Sequence, residues 1–94
     1  MKMANVSECA VSECAYNTGK SCHAIAITIG DGAHPMCDTF FKSSAHGGIK
    51  SQTAGVGACK VASCRHNNDF ECSSESIKVG ICEDHGDCMT FSMR

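Results

Sequence analysis

Tryptophan is absent from this 94-residue chain, tyrosine occurs once and phenylalanine four times. Large core-filling side chains are therefore scarce, and the 43% apolar fraction conceals the shortage because it counts nine cysteines and many alanines. Burial alone leaves such a chain marginal, so a covalent or coordinative element is expected to supply the rest. Long apolar runs are missing too. Ile25 to Gly30 (IAITIG) falls far short of the ~20 residues of a membrane-spanning helix. Residues 1–15 hold no continuous stretch of the roughly 7–15 apolar residues that drives secretion. These absences predict a cytoplasmic chain without membrane contact. Basic clusters are also lacking: the formal net charge is −2, the isoelectric point is near 6.2, and Lys and Arg stand singly. Nucleic-acid binders carry a basic stripe, often with aromatics for stacking on bases, so nucleic acid is not an expected partner.

What the chain does have is cysteine and repetition. Displaced by 50 residues, Val6, Cys9, Val11, Cys14, Asn17, Cys22, Ile27 and Gly30 fall on Val56, Cys59, Val61, Cys64, Asn67, Cys72, Ile77 and Gly80, with Ile29 opposite Val79. After a one-residue insertion, His34, Cys37, Thr39 and Phe40 fall on His85, Cys88, Thr90 and Phe91. Such self-similarity is the mark of a repeat architecture. It divides the chain into a first repeat, 5–41, a Gly/Ser-rich linker, 42–54, and a second repeat, 55–92. As a flexible coil the linker would hold its ends roughly 20 Å apart, enough to separate the repeats or to let them pack side by side.

The alternation Ile25, Ile27, Ile29 and its weaker copy Ile77, Val79, Ile81 predict one short strand per repeat, ended by Gly30 and interrupted by Gly80. Helical periodicity is lacking outside the linker, and Asn17-Thr18-Gly19 and His66 to Asp69 are turn chemistry. The expected fold is a small metal-stabilised protein of short β-strands and turns, with little or no helix and two tandem zinc-binding repeats.

Four ligands make a tetrahedral structural zinc site, and Cys9, Cys14, Cys22 and Cys37 with Cys59, Cys64, Cys72 and Cys88 supply that number twice, for two Zn²⁺ per chain. Thiolates are soft donors, and a reducing cytosol keeps cysteines available to metal. The C-x4-C spacing of each first pair lies at the wide end of the usual knuckle range. The alternative is two disulfide-stapled mini-domains, each with three possible connectivities. Cys82 stands outside both sets. His34 and His85 precede the last cysteine of each repeat by three residues and are alternative ligands in place of a cysteine, or groups that hydrogen-bond a thiolate. His23, His46 and His66 do not recur and are expected at the surface. Asn17 and Asn67 suit turns, and Phe40 and Phe91 suit one aromatic over each site. Asp31, Glu83, Asp84 and Asp87 read as a solvated acidic face.

Cys9-x4-Cys14, the Tyr16-Asn17 pair, Cys22, the Ile27/Ile29 strand and the closing Cys37-Asp-Thr-Phe40 together resemble the bacterial domain of unknown function 1540 family, in two copies. The resemblance implies a zinc-binding module with the eight repeat cysteines as ligands, and it implies no activity. The second copy departs from the pattern in having His66 for Tyr16 and the additional Cys82.

A catalytic zinc site keeps an open position and a nearby base, as in H-E-x-x-H, and a dithiol redox centre prefers C-x-x-C at a helix start. Neither is present, so an enzyme is not expected. The sequence favours a monomeric, non-catalytic module that binds another macromolecule, most simply a protein. A metal-handling role, as zinc buffer or sensor, is the alternative that would give the histidines and Cys82 a purpose.

Overall fold

The computed structural model describes residues 3–30, 34–82 and 85–94, and no helix occurs among them. Nine strands are present: β1 (Asn5–Cys9), β2 (Asn17–Thr18), β3 (Ser21–Cys22), β4 (Ala26–Ile29), β5 (Gly55–Cys59), β6 (Asn67–Asn68), β7 (Glu71–Cys72), β8 (Ser76–Cys82) and β9 (His85–Cys88). The tandem sequence does not give two separate units. Five strands form one sheet in the order β4-β5-β1-β8-β9, so strands of the two repeats alternate across its first four positions and β9 pairs with β8 of its own repeat. β1 runs parallel to β8 of the other repeat, pairing Val6 with Ile77 and Cys9 with Val79. β4 runs parallel to β5 in the same way, pairing Ile27 with Val56 and Ile29 with Cys59.

A pseudo-twofold axis relates the halves. Val6 N–H donates to the Ala54 carbonyl and Val56 N–H to the Ala4 carbonyl, both at 2.8 Å, on either side of the antiparallel Asn5–Gly55 pair. At the other end, Cys37 N–H donates to Gly86 and Cys88 N–H to Pro35, at 2.8 and 2.9 Å. Isolated bridges between Ile29 and Cys37 and between Met36 and Asp87 connect β9 back to β4, so the ladder closes on itself. Closure removes exposed sheet edges, which pair readily with other chains. The largest fully buried side chains, Val6, Ile29 and Ile77, come from both repeats and share one core.

Local sequence explains the elements. Val6 and Cys9 are both buried although three residues apart, which a regular two-residue alternation forbids. A register shift between Val6 and Glu8 inserts Ser7 as a bulge, and Gly57 is the equivalent insertion in β5. The extra residue turns the following cysteine inward, which accounts for the V-x2-C spacing. The hairpins β2–β3 and β6–β7 have two-residue loops, Gly19-Lys20 and Asp69-Phe70, with φ of +59°, +68°, +54° and +67°. Positive φ at both loop positions is what a type I′ turn requires.

Three expectations change. β8 runs through Gly80 without interruption, because Gly80 pairs with Asp87 of β9. Ile25 and Ile81 are 68% and 60% exposed: Ile25 precedes β4, and Ile27 with Ile29 and Ile77 with Val79 are the members of the two runs that enter the core. The linker is not a free coil, since Gly47, Ile49 and Ala54 donate backbone hydrogen bonds to Ala15, His23 and Cys22. Gly48 has φ of +93°, and a Cβ there would collide with the His23 carbonyl, so glycine is required for this close approach.

Because the core is shared, Ile29→Ala is expected to lower stability by about 2–5 kcal/mol while chemical denaturation remains a single cooperative transition. Two resolved transitions would show that the repeats fold independently.

Candidate metal centres

The same construction is used twice to gather four cysteines. The bulged strand β1 delivers Cys9 at its end. A tight turn follows, with Cys14 N–H bonded to the Val11 carbonyl at 3.2 Å and Asn17 N–H to the Cys14 carbonyl at 3.0 Å. The buried Asn17 side chain fixes this turn against the strand by donating from Nδ2 to the Cys9 carbonyl at 2.8 Å. The β2–β3 hairpin then returns Cys22, and the chain beyond β4 returns Cys37. In the second repeat Asn67 Nδ2 donates to the Cys59 carbonyl at 2.9 Å, and Cys64, Cys72 and Cys88 arrive by the same route.

Cys9, Cys14, Cys22 and Cys37 line one cavity of about 20 Å³, together with Val6, Ile27, Tyr16, Phe40 and, from the second repeat, Val79 and Gly86. Cys59, Cys64, Cys72 and Cys88 line a second cavity of about 20 Å³, with Val56, His66, Ile77, Phe91 and, from the first repeat, Ile29. Such a volume holds about one water-sized particle. Each cysteine set therefore belongs to one repeat, while the apolar wall around it belongs to both. Gly86 permits the closeness, since a Cβ there would lie 2.9 Å from Val11 and 3.0 Å from Val79.

The electrostatics are unusual for a thiol pocket. Burial pushes the Cys37 thiol up to about 11 and raises Cys22, Cys72 and Cys88 as well. Opposing this, backbone N–H groups of Ala24, Ser74, Thr39 with Phe40, and Thr90 with Phe91 donate to the sulfurs of Cys22, Cys72, Cys37 and Cys88 respectively. Donors aimed at sulfur stabilise thiolate over thiol, yet neither cavity wall includes Lys or Arg. A soft divalent cation is the charge that fits this arrangement, and the residues present suit it.

The alternative ligands lie elsewhere. Neither His34 nor His85 lines a cysteine cavity; their rings face each other across the pseudo-twofold axis with centroids 5.4 Å apart. Asp87 does not belong to a solvated face. Pairing with Met36 and Gly80 buries it to 5% exposure, whereas Asp31, Glu83 and Asp84 lie outside the described residues. Alternation along β9 turns Gly86 and Cys88 to the cavities and places His85 and Asp87 on the other face, where His85 Nδ1 and Asp87 Oδ1 are 2.8 Å apart. His34 Nδ1 lies 3.5 Å from Asp87 Oδ2 and 3.8 Å from Cys82 Sγ. Sequence reasoning singled out His34, His85 and Cys82 separately but not this grouping, which depends on strand exchange.

The remaining histidines divide. His46 is exposed; His23 is half-buried, with Nδ1 2.8 Å from the Gln52 carbonyl. Half-buried His66 takes the place of Tyr16 in the wall of the second cavity. Thr39 and Thr90 accept hydrogen bonds from Thr28 and Lys78 N–H at 3.1 and 3.0 Å, securing the segments that carry Cys37 and Cys88.

No curated protein and no solved structure matches the chain at a significant level. The family model described as Domain of Unknown Function (DUF1540) matches it twice, over residues 8–53 and 58–91. The first match reaches through most of the docked linker, in keeping with the hydrogen bonds that tie the linker to Ala15, His23 and Cys22. The repeated cysteine framework and the intertwined strands that hold it are therefore those of two tandem copies in one chain, which belongs to the DUF1540 family.

Proposed function

We propose that this protein is a non-enzymatic zinc module in which Cys9, Cys14, Cys22 and Cys37 hold one ion and Cys59, Cys64, Cys72 and Cys88 a second, and whose surface binds another protein. The observation that carries the reading is the pair of ion-sized cavities, each ringed by four cysteines. Amides aimed at the sulfurs support it. Four thiolates complete a tetrahedral shell and leave no position for a substrate, which argues for structure over catalysis.

The energetic argument runs the same way. Structural zinc contributes on the order of 10–16 kcal/mol in small domains, comparable to or larger than the roughly 5–15 kcal/mol net stability of a whole domain. A core built on alanine, valine and three fully buried large side chains depends on such a term. With the scaffold fixed by metal, exposed apolar residues such as Ile25, Phe41 and Phe70, at 68%, 60% and 58%, are available for protein contact. A buffering or sensing role is the second reading, and the His34–Cys82–Asp87 grouping favours it.

Native mass spectrometry tests the ligand assignment. Cys14→Ser and Cys64→Ser are each expected to remove one chelator-resistant zinc ion and to destabilise the whole fold. Full metallation of either variant would refute the assignment, and a coloured protein containing iron would refute the choice of metal.

Thiol titration gives a second test. Neutral thiols must lose their protons to become ligands, so each zinc bound at pH 7 should release up to about four protons. Calorimetry in buffers of different ionisation enthalpy measures that number, and a value near zero would count against thiolate ligation. In the metal-free chain the raised folded-state values of Cys22, Cys37, Cys72 and Cys88 have the opposite consequence. Their contribution is fully present below the unfolded value of 9.0 and is lost as pH rises towards the value of about 11 at Cys37. The denaturation midpoint of metal-free protein should fall across that window; a rising midpoint would contradict the buried-thiol assignment.

A further inference from the structure

The grouping around Asp87 shares no ligand with either four-cysteine set, and among the described residues it occurs once although the molecule is built twice. His34 and His85 occupy equivalent positions in the two repeats and meet at the pseudo-twofold axis. Asp87, however, stands where the first repeat has Met36, and Cys82 has no cysteine counterpart. The axis therefore brings together two histidines, and the second repeat alone adds an oxygen and a sulfur donor. A His/Cys/Asp set of mixed hardness is a donor combination characteristic of zinc-class ions.

The spacing of the donor atoms is close to that of a coordination shell. With zinc bonds of about 2.0 Å to nitrogen or oxygen and 2.3 Å to sulfur, tetrahedral ligand atoms stand roughly 3.3–3.8 Å apart. Here His34 Nδ1 is 3.5 Å from Asp87 Oδ2 and 3.8 Å from Cys82 Sγ, and one donor atom from each of the three residues lies within 4.8 Å of the others. Small side-chain adjustments suffice to converge them. The Asp87 carboxylate is 7% exposed, and its ion-pair partners among the described residues are His34 and His85. A buried carboxylate is costly without a cation beside it.

We propose that His34 Nδ1, Cys82 Sγ and an Asp87 carboxylate oxygen form a third metal site, for a zinc-class divalent ion, held between the two repeats. His85 is a positioning residue: its Nδ1–H donates to Asp87 Oδ1 and directs Oδ2 toward the ion. Three protein ligands leave the fourth position to water or an incoming donor. His34 is 38% exposed, so the site opens to solvent, and its ion exchanges where the enclosed four-thiolate ions do not. Because His34 comes from one repeat and Cys82 and Asp87 from the other, occupancy fastens the His34 segment of the first repeat to β8 and β9. The site thereby gives the chain a metal-responsive element beside its structural ions.

The test is zinc titration of the full chain under reducing conditions, followed by native mass spectrometry during graded chelation. Wild-type protein is expected to bind three ions and to surrender one first. Cys82→Ser and His34→Gln should bind two chelator-resistant ions with unchanged circular dichroism. His85→Gln should retain the third ion but bind it about 10–100-fold more weakly. With Co²⁺ as probe, the third equivalent should add thiolate-to-cobalt absorption that Cys82→Ser lacks. A wild-type count of two, or a third ion that persists in both Cys82→Ser and His34→Gln, overturns the proposal while leaving the four-cysteine sites standing. Failure of those sites would read differently, as fewer than two chelator-resistant ions in every protein.

Discussion

The fold depends on one constraint: the central strands of the sheet find neighbours across the repeats. β1 lies against β5 and β8, and β4 against β5, while β9 pairs with β8 and each hairpin pairs within its own repeat. The knuckle and hairpin that carry the cysteines join β1 to β4 in the first repeat and β5 to β8 in the second, and in each case a strand of the other repeat lies between the two strands so joined. The stretch of chain that skips over the intervening strand is also the one that gathers Cys9, Cys14 and Cys22, or Cys59, Cys64 and Cys72.

Two opposing demands meet at the thiols. Burial among valine, isoleucine and phenylalanine raises their proton affinity, which favours a neutral, metal-free pocket. Amide donors oppose burial and favour thiolate. Burial is the larger of the two, so the thiols hold their protons while the backbone donors stand ready for a thiolate. The apolar wall, contributed by both repeats, keeps water from competing for those sulfurs.

Much of this was legible in the sequence. The 50-residue displacement exposed the repeat, the cysteine spacing exposed two sets of four, and the absence of helical period is matched by a structure of strands and turns. The turn role of Asn17 was legible because asparagine suits tight turns. The strand exchange was not, because a strand's hydrophobic alternation states which face is buried and not which strand lies beside it. Asp87 was misplaced for the same reason: in sequence it stands among Glu83, Asp84 and a glycine, the composition of a surface loop, and its pairing with Gly80 and Met36 encloses it. Exposure of Ile25 and Ile81 reflects the ends of runs whose period was read correctly. The V-x2-C spacing carried a further signal, an inserted bulge residue, that shows its meaning only when register is known.

The paired backbone bonds at the axis, Val6 to Ala54 with Val56 to Ala4 and Cys37 to Gly86 with Cys88 to Pro35, have a consequence for ancestry. A contact made twice with the roles exchanged is the kind of contact that two identical chains make with each other. Half of this molecule is therefore shaped as one member of a pair, and a single-copy ancestor would have closed the same ring by self-association. Gene duplication and fusion through the segment around Gly48 would then have replaced an encounter between two molecules by an intramolecular one. Two halves joined in one chain need not be identical, and beside the axis Asp87 stands opposite Met36.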